Sequence, residues 1–204
     1  MISSRIEATT PAPIYLTFDD GPLEPYTSQI LDILQQHNVK ASFFVCGKNI
    51  ERFPVITKKI VEAGHIIGNH SYSHSFVLSF LGILNKEIEK TDAIIRNITQ
   101  IETKFFRSPW GFLKFRFWLI QYLKKNNYKF IPWDFDSRDW FNPKAQNIIK
   151  RVLKSIKPGQ IILLHDGYEG RFNGDRSQTV LALPVLIKEL KKSGYNFETI
   201  DKLK

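Results

Sequence analysis

Two adjacent carboxylates, Asp19 and Asp20, stand just before Gly21-Pro22, and two histidines, His70 and His74, follow about fifty residues on. One Asp and two His make a three-ligand set of the kind that holds a catalytic zinc and leaves a fourth position open. The other Asp is then free to act as a base toward water, which points to metal-assisted hydrolysis. Each pair also has an ordinary reading. Asp-Asp before Gly-Pro is a turn sequence, and an isolated H-x-x-x-H is equally a helix-capping or surface pair.

Short apolar runs that alternate with helical patterns must position these groups. The runs predict strands over 14–18, 41–45, 66–68, 105–106, 130–133, 160–164 and 197–199. Helical spacing predicts helices over 26–37, 54–63, 85–99, 114–125, 145–156 and 180–193. This alternation is the signature of strand-helix units around a mainly parallel α/β sheet. The polar candidates all follow strands. Asp19 and Asp20 come after the first, His70 and His74 after the third, Arg107 after the fourth, Asp136 and Asp139 after the fifth, and His165 and Asp166 after the sixth. Parallel α/β barrels gather their catalytic groups at the C-terminal ends of their strands.

Five short motifs occur in order along the chain. They are Thr17-Phe18-Asp19-Asp20-Gly21-Pro22, His70-Ser71-Tyr72-Ser73-His74, Arg107-Ser108-Pro109-Trp110-Gly111, Asp136-Ser137-Arg138-Asp139-Trp140 and Leu163-Leu164-His165-Asp166. In these the chain resembles the polysaccharide deacetylases with the NodB homology domain, carbohydrate esterase family 4, from about residue 14 to about residue 200. The resemblance implies a distorted (β/α) barrel of TIM-like type with a metal site in a groove at the strand ends. It implies that Asp20, His70 and His74 hold one divalent metal ion and that Asp19 is the general base. Zinc is the default for that ligand set, and cobalt or nickel would also fit. Arg107 would pair with Asp19, His165 would be the general acid, and Asp139 would orient its ring. The Trp110 backbone N–H would help to stabilise the oxyanion, and Trp140 and Leu163 would wall the pocket for the acetyl methyl. Trp110 stands where the family more often has Tyr.

The function implied is removal of N-acetyl groups from N-acetylated amino sugars in a poly- or oligosaccharide, with release of acetate. Two other readings stay open: a non-catalytic carbohydrate-binding module on the same fold, and a metal amidohydrolase acting on a small non-sugar acetamide. The motifs read only the acetamide, so chitin oligomers, peptidoglycan, a biofilm polymer and a lipid-linked sugar fit equally.

The chain has 204 residues, 43% hydrophobic and 24% charged, which is ordinary for a globular protein and enough for one sizeable core. A single domain over 1–204 is expected, with 1–13 as an extended lead-in and no partner chain required. The net charge is +9, but Lys and Arg are spread along the chain, and no nucleic-acid partner is expected. No apolar run approaches the roughly 18 residues of a membrane span. The chain as given carries no export signal, which reads as cytoplasmic unless an upstream signal has been removed, in which case cell envelope or secreted. The lone cysteine, Cys46, reads as a buried strand residue, and His37 and His65 as surface or helix-end histidines. The segment 76–84 is unusually apolar, and with Phe117, Trp118 and Ile120, which fall off the helical stripe of 112, 115 and 119, it could form a rim near the groove. Such a rim would allow peripheral contact with a membrane or with the lipid of a lipid-linked saccharide.

Overall fold

The computed structural model describes residues 13–111 and 117–203. The lead-in 1–12 and the apolar positions Phe112 and Phe115 lie outside that range. Eight strands form one sheet: β1 (Ile14–Asp19), β2 (Ser42–Val45), β3 (Ile66–Asn69), β4 (Phe105–Phe106), β5 (Lys129–Phe130), β6 (Phe135–Asp136), β7 (Ile161–His165) and β8 (Phe197–Glu198). The order is β5-β4-β3-β2-β1-β7-β6, every pairing is parallel, and β8 runs beside the start of β1. The sheet curls into a half-barrel with helices outside it, which bears out the expected distorted (β/α) barrel.

The central strand β1 is buried along its whole length, as a parallel strand covered on both faces should be. Its two faces differ. Ile14, Leu16 and Phe18 join Phe43, Val45, Ile67, Ile162 and Leu164 in the main core. That core is completed by α1 (Tyr26–Gln36), α3 (Pro54–Glu62), α5 (Asn85–Thr99), α7 (Ala145–Ser155) and α8 (Ser177–Lys192). The alternate residues point inward, where Tyr15 packs with Phe44, Ile131, Ile161 and Ile200. Side chains alternate along a strand with period two. Thr17 and Asp19 therefore share the inner face with Leu163 and His165, and the register sets Thr17 opposite Leu163 and Asp19 opposite His165. One strand pairing thus brings the base and acid candidates together.

Among the described residues three further α-helices are short: α2 (Gly47–Arg52), α4 (Phe76–Leu81) and α6 (Phe117–Lys125). The two six-residue helices are too short to show an amphipathic period, and the sequence does not reveal them. Helix α4 is held by local chemistry. The Ser75 side chain caps its first turn, accepting from Leu78 N–H, and Gly82 ends it at φ 69°, where glycine has no Cβ clash.

Two expectations need correction. The run 130–133 is not a strand. β5 ends at Phe130, β6 begins at Phe135, and the residues between cross the barrel from one edge to the other. Ile131 N–H donates to Phe106 O, and Asp134 N–H donates to Ile161 O. Pro132 has no N–H to give a ladder, and the Arg107 side chain takes the carbonyls of Ile131 and Pro132. His65 is a helix-end histidine but not a surface one. It is buried, its Nδ1 accepts from Ala41 N–H, and its ring meets Phe43 edge-on. Burial pushes its pKa down to about 4. Cys46 is buried as expected, but it lies just past β2, at the N-terminal cap of the helix that follows, and not in a strand.

After β7 the chain folds back over the end of β1. A Cβ on Gly167 would lie 2.1 Å from Asp20 O, so only glycine allows this approach. Gly167→Ala is expected to lower stability by about 1–3 kcal/mol, read as a shift of the urea unfolding midpoint with an unchanged slope.

Candidate active site

Asp20 leaves β1 in the left-handed region, at φ 73°, which turns its side chain toward the loop after β3. One of its oxygens, Oδ1, faces His70 Nε2 at 3.4 Å and His74 Nε2 at 3.1 Å. The donor atoms of Asp20, His70 and His74 lie within 4.8 Å of one another, and all three residues are buried. This donor set fits a metal ion. Asp20 Oδ1 is buried and accepts no hydrogen bond, an arrangement that normally costs free energy unless something else satisfies it. The other oxygen, Oδ2, accepts from Glu169 N–H at 2.8 Å. His70 Nδ1 lies 2.8 Å from Arg107 O; if it carries the proton and donates there, the Nε2 lone pair is free for a cation. Burial would raise the Asp20 pKa, but His74 and His70 outweigh it and hold the carboxyl well below the usual range.

The loop between the histidines is clamped from outside the motifs. Glu87, in the first turn of α5, accepts from Tyr72 N–H, Ser73 N–H and Ser73 Oγ–H at 2.7–3.1 Å. Asn69 Oδ1 accepts from Ser71 N–H, and Ser71 Oγ accepts from His74 N–H. Asn49, fully buried, donates to Asp20 O.

Asp19 lies on the opposite side of the donor set, with Oδ2 3.7 Å from His70 Nε2. Its Oδ1 accepts from Arg107 Nη1 at 2.7 Å, and that nitrogen also donates to Thr17 Oγ1. Arg107 is completely buried. Across the cleft, His165 Nδ1 lies 2.7 Å from Asp139 Oδ1, and Asp139 Oδ2 accepts from His165 N–H and Thr179 Oγ–H. Burial alone would lower the His165 pKa, but Asp139, followed by Asp20 and Asp19, pushes it up to about 9. A cation on Asp20 would offset the last two contributions and leave that of Asp139. The two sides of the cleft therefore carry opposite pairings: a carboxyl group fixed by an arginine and an imidazole fixed by a carboxylate.

The cleft has a volume of about 530 Å³, within the usual range for small-molecule sites. Eight of the ten predicted site residues line it: Asp19, Asp20, His70, His74, Trp110, Trp140, Leu163 and His165. Arg107 and Asp139 are buried behind the groups they touch. Trp110, at φ 60°, sets its ring 5.1 Å from that of His74. Trp133, Asp136, Phe141, Tyr168, Glu169 and Arg176 also line the cleft. Asp136 accepts from Arg138 N–H and from Trp140 Nε1–H. Asp166 is buried beneath Gly21, where it accepts from Thr27 Oγ–H, and burial pushes its pKa up to about 7. Glu87 and Glu169 carried no sequence signal, since one acts from a distant helix turn and the other through its backbone N–H.

A family model described as polysaccharide deacetylase matches residues 7–131. A peptidoglycan-N-acetylglucosamine deacetylase of Bacillus cereus is 37% identical over 198 residues, covering 93% of this chain and 87% of that protein. A chitooligosaccharide deacetylase of Rhizobium leguminosarum bv. trifolii is 32% identical, with 92% and 89% covered. Among solved structures, a peptidoglycan N-acetylglucosamine deacetylase superposes with a TM-score of 0.86 at 36% identity, covering 95% of this chain and 88% of that one. A carbohydrate esterase family 4 pseudoenzyme from Bacillus anthracis superposes with a TM-score of 0.83 at 29% identity, covering 95% and 65%.

Glu87→Ala is expected to weaken zinc binding about 10–100-fold, measured by calorimetric titration of the metal-free protein. Asp139→Asn removes the largest influence that raises the His165 pKa. If His165 is the proton donor that the resemblance implies, the alkaline limb of the kcat profile should move to lower pH, and kcat should fall.

Proposed function

The chain belongs to the polysaccharide deacetylase family, and we propose that it hydrolyses the N-acetyl group of an N-acetylated amino sugar using Asp20, His70 and His74 as metal ligands. The substrate class is an oligosaccharide or glycan of the chitooligosaccharide or peptidoglycan type, as in the relatives. Zinc is the metal the Asp-His-His set favours, with cobalt or nickel as alternatives. When bound, such a cation lowers the pKa of water and polarises a carbonyl.

The chain's own residues supply the rest. Asp19 takes a proton from water, and its carboxylate is kept oriented by the Arg107 guanidinium 2.7 Å away. The oxygen of that water attacks the acetamide carbonyl carbon. The Trp110 backbone N–H stabilises the charge that develops on the carbonyl oxygen. His165, held protonated by Asp139, gives its proton to the departing nitrogen as the C–N bond breaks. Acetate and a free amino sugar leave. Leu163 and Trp140 on the cleft wall receive the acetyl methyl.

The observation that carries this reading is the opposed pairing of Asp19 with Arg107 and of His165 with Asp139 across one set of metal donors. A silent binding module has no use for an imidazole held as a buried acid, so the pairing favours an enzyme over a glycan-binding role.

Acetate release from N-acetylglucosamine oligomers tests it. Activity is expected to vanish on chelation and to return with zinc or cobalt. Asp19→Asn is expected to lower kcat about 10²–10⁴-fold while zinc binding persists by titration. A metal-free protein as active as the loaded one would overturn the reading.

A further inference from the structure

The deacetylase reading accounts for the floor of the cleft but not for the apolar strip that runs out from its mouth. Trp110 lines the cleft. Its ring meets Phe76 edge-on at 5.6 Å, and Phe76 stacks on Phe80 at 6.1 Å. Phe76, Val77, Phe80 and Leu81 of α4 are 49–60% exposed, and Ile83 beyond them is 49% exposed. No residue of α4 is charged. The outward aim of this helix is fixed, because Leu78 packs with Leu84, Ile88, Leu119 and Leu123 on its other side. Leu119 and Leu123 belong to α6, whose first residues, Phe117 and Trp118, are 61% and 76% exposed. Contiguous apolar surface of this kind marks a binding site.

The composition of the strip selects the occupant. A sugar ring needs hydrogen-bonding groups beside any aromatic face, whereas Val77, Leu81 and Ile83 offer only hydrocarbon. A methylene chain gains free energy in proportion to the apolar area it covers. The strip starts at Trp110, which also lines the catalytic cleft, so strip and cleft share a wall. We propose that this strip is a subsite for a hydrocarbon chain carried by the amino-sugar substrate itself. The inference rests on the deacetylase reading and narrows it to a lipid-bearing saccharide.

The test is acetate release by the zinc-loaded protein from a series of alkyl glycosides of di-N-acetylchitobiose, methyl through decyl, each below its micelle concentration. The value of kcat/KM is expected to rise about twofold per methylene, consistent with partial burial of each one, and the rise should lie in KM, since a remote contact binds ground and transition state alike. The double variant Phe80→Ser, Leu81→Ser should flatten the series and leave the methyl glycoside unchanged. Release that is independent of chain length would overturn the subsite and leave deacetylation standing. If that result came with binding to phosphatidylglycerol vesicles that the double variant loses, the strip would be a bilayer contact instead. Release from none of the glycosides would remove the deacetylase premise on which the subsite rests.

Discussion

The site depends on one buried ion pair. Arg107 is fully enclosed, and its guanidinium joins three parts of the barrel: Asp19 and Thr17 on β1, its own place after β4, and the carbonyls of Ile131 and Pro132 on the crossing segment. Its Cζ also lies 4.1 Å from the centre of the Phe44 ring on β2. An arginine taken out of water carries a large desolvation cost, which is tolerable only when its N–H groups are satisfied and a carboxylate faces it. Here both conditions hold, and the result is an Asp19 side chain fixed in place at the floor of the cleft. The same cation ties the crossing segment that leaves β5 to the central strand β1, so the placement of that segment and the orientation of Asp19 share one cause.

The metal donors are held differently, by the backbone. Asp20, Ser71, His74, Trp110, Arg138 and Glu169 all have positive φ without being glycine, and all six belong to the loops around the cleft. Such conformations are costly and persist only where the surroundings over-determine them. The over-determination is visible at each ligand. Asn49 and Glu169 fix Asp20, Asn69 and Ser71 fix the turn into His74, and Glu87 ties down the loop between the histidines.

Much of this was legible in the chain. The alternation of apolar runs with helical stripes identified the parallel α/β sheet, because burial on both faces leaves a continuous apolar run that cannot be disguised. Asp19, Asp20, His70, His74 and His165 stood out because metal binding and proton transfer accept few side-chain types, whereas Arg107, Asp139, Trp110, Trp140 and Leu163 followed only from the resemblance in the five motifs. The crossing segment 131–134 was not, since its apolar residues look like a strand and only the carbonyl bonds to Arg107 show otherwise. His65 looked like a surface residue because nothing in its neighbourhood along the chain reveals that Phe43 and Ala41 N–H wait for it.

The sequence by itself determined which groups exist and the phase at which they leave the strands: Asp19 and Asp20 after one run, the histidine pair after another, His165 at the end of a third. Those are properties of residue type and short spacing, which local chemistry fixes. Tertiary structure alone decided that Asp19 and His165 face each other across a register, that Glu87 from a separate helix clamps the ligand loop, and that Glu169 serves through its N–H. Those facts depend on how distant segments pack and on backbone groups that every residue carries alike.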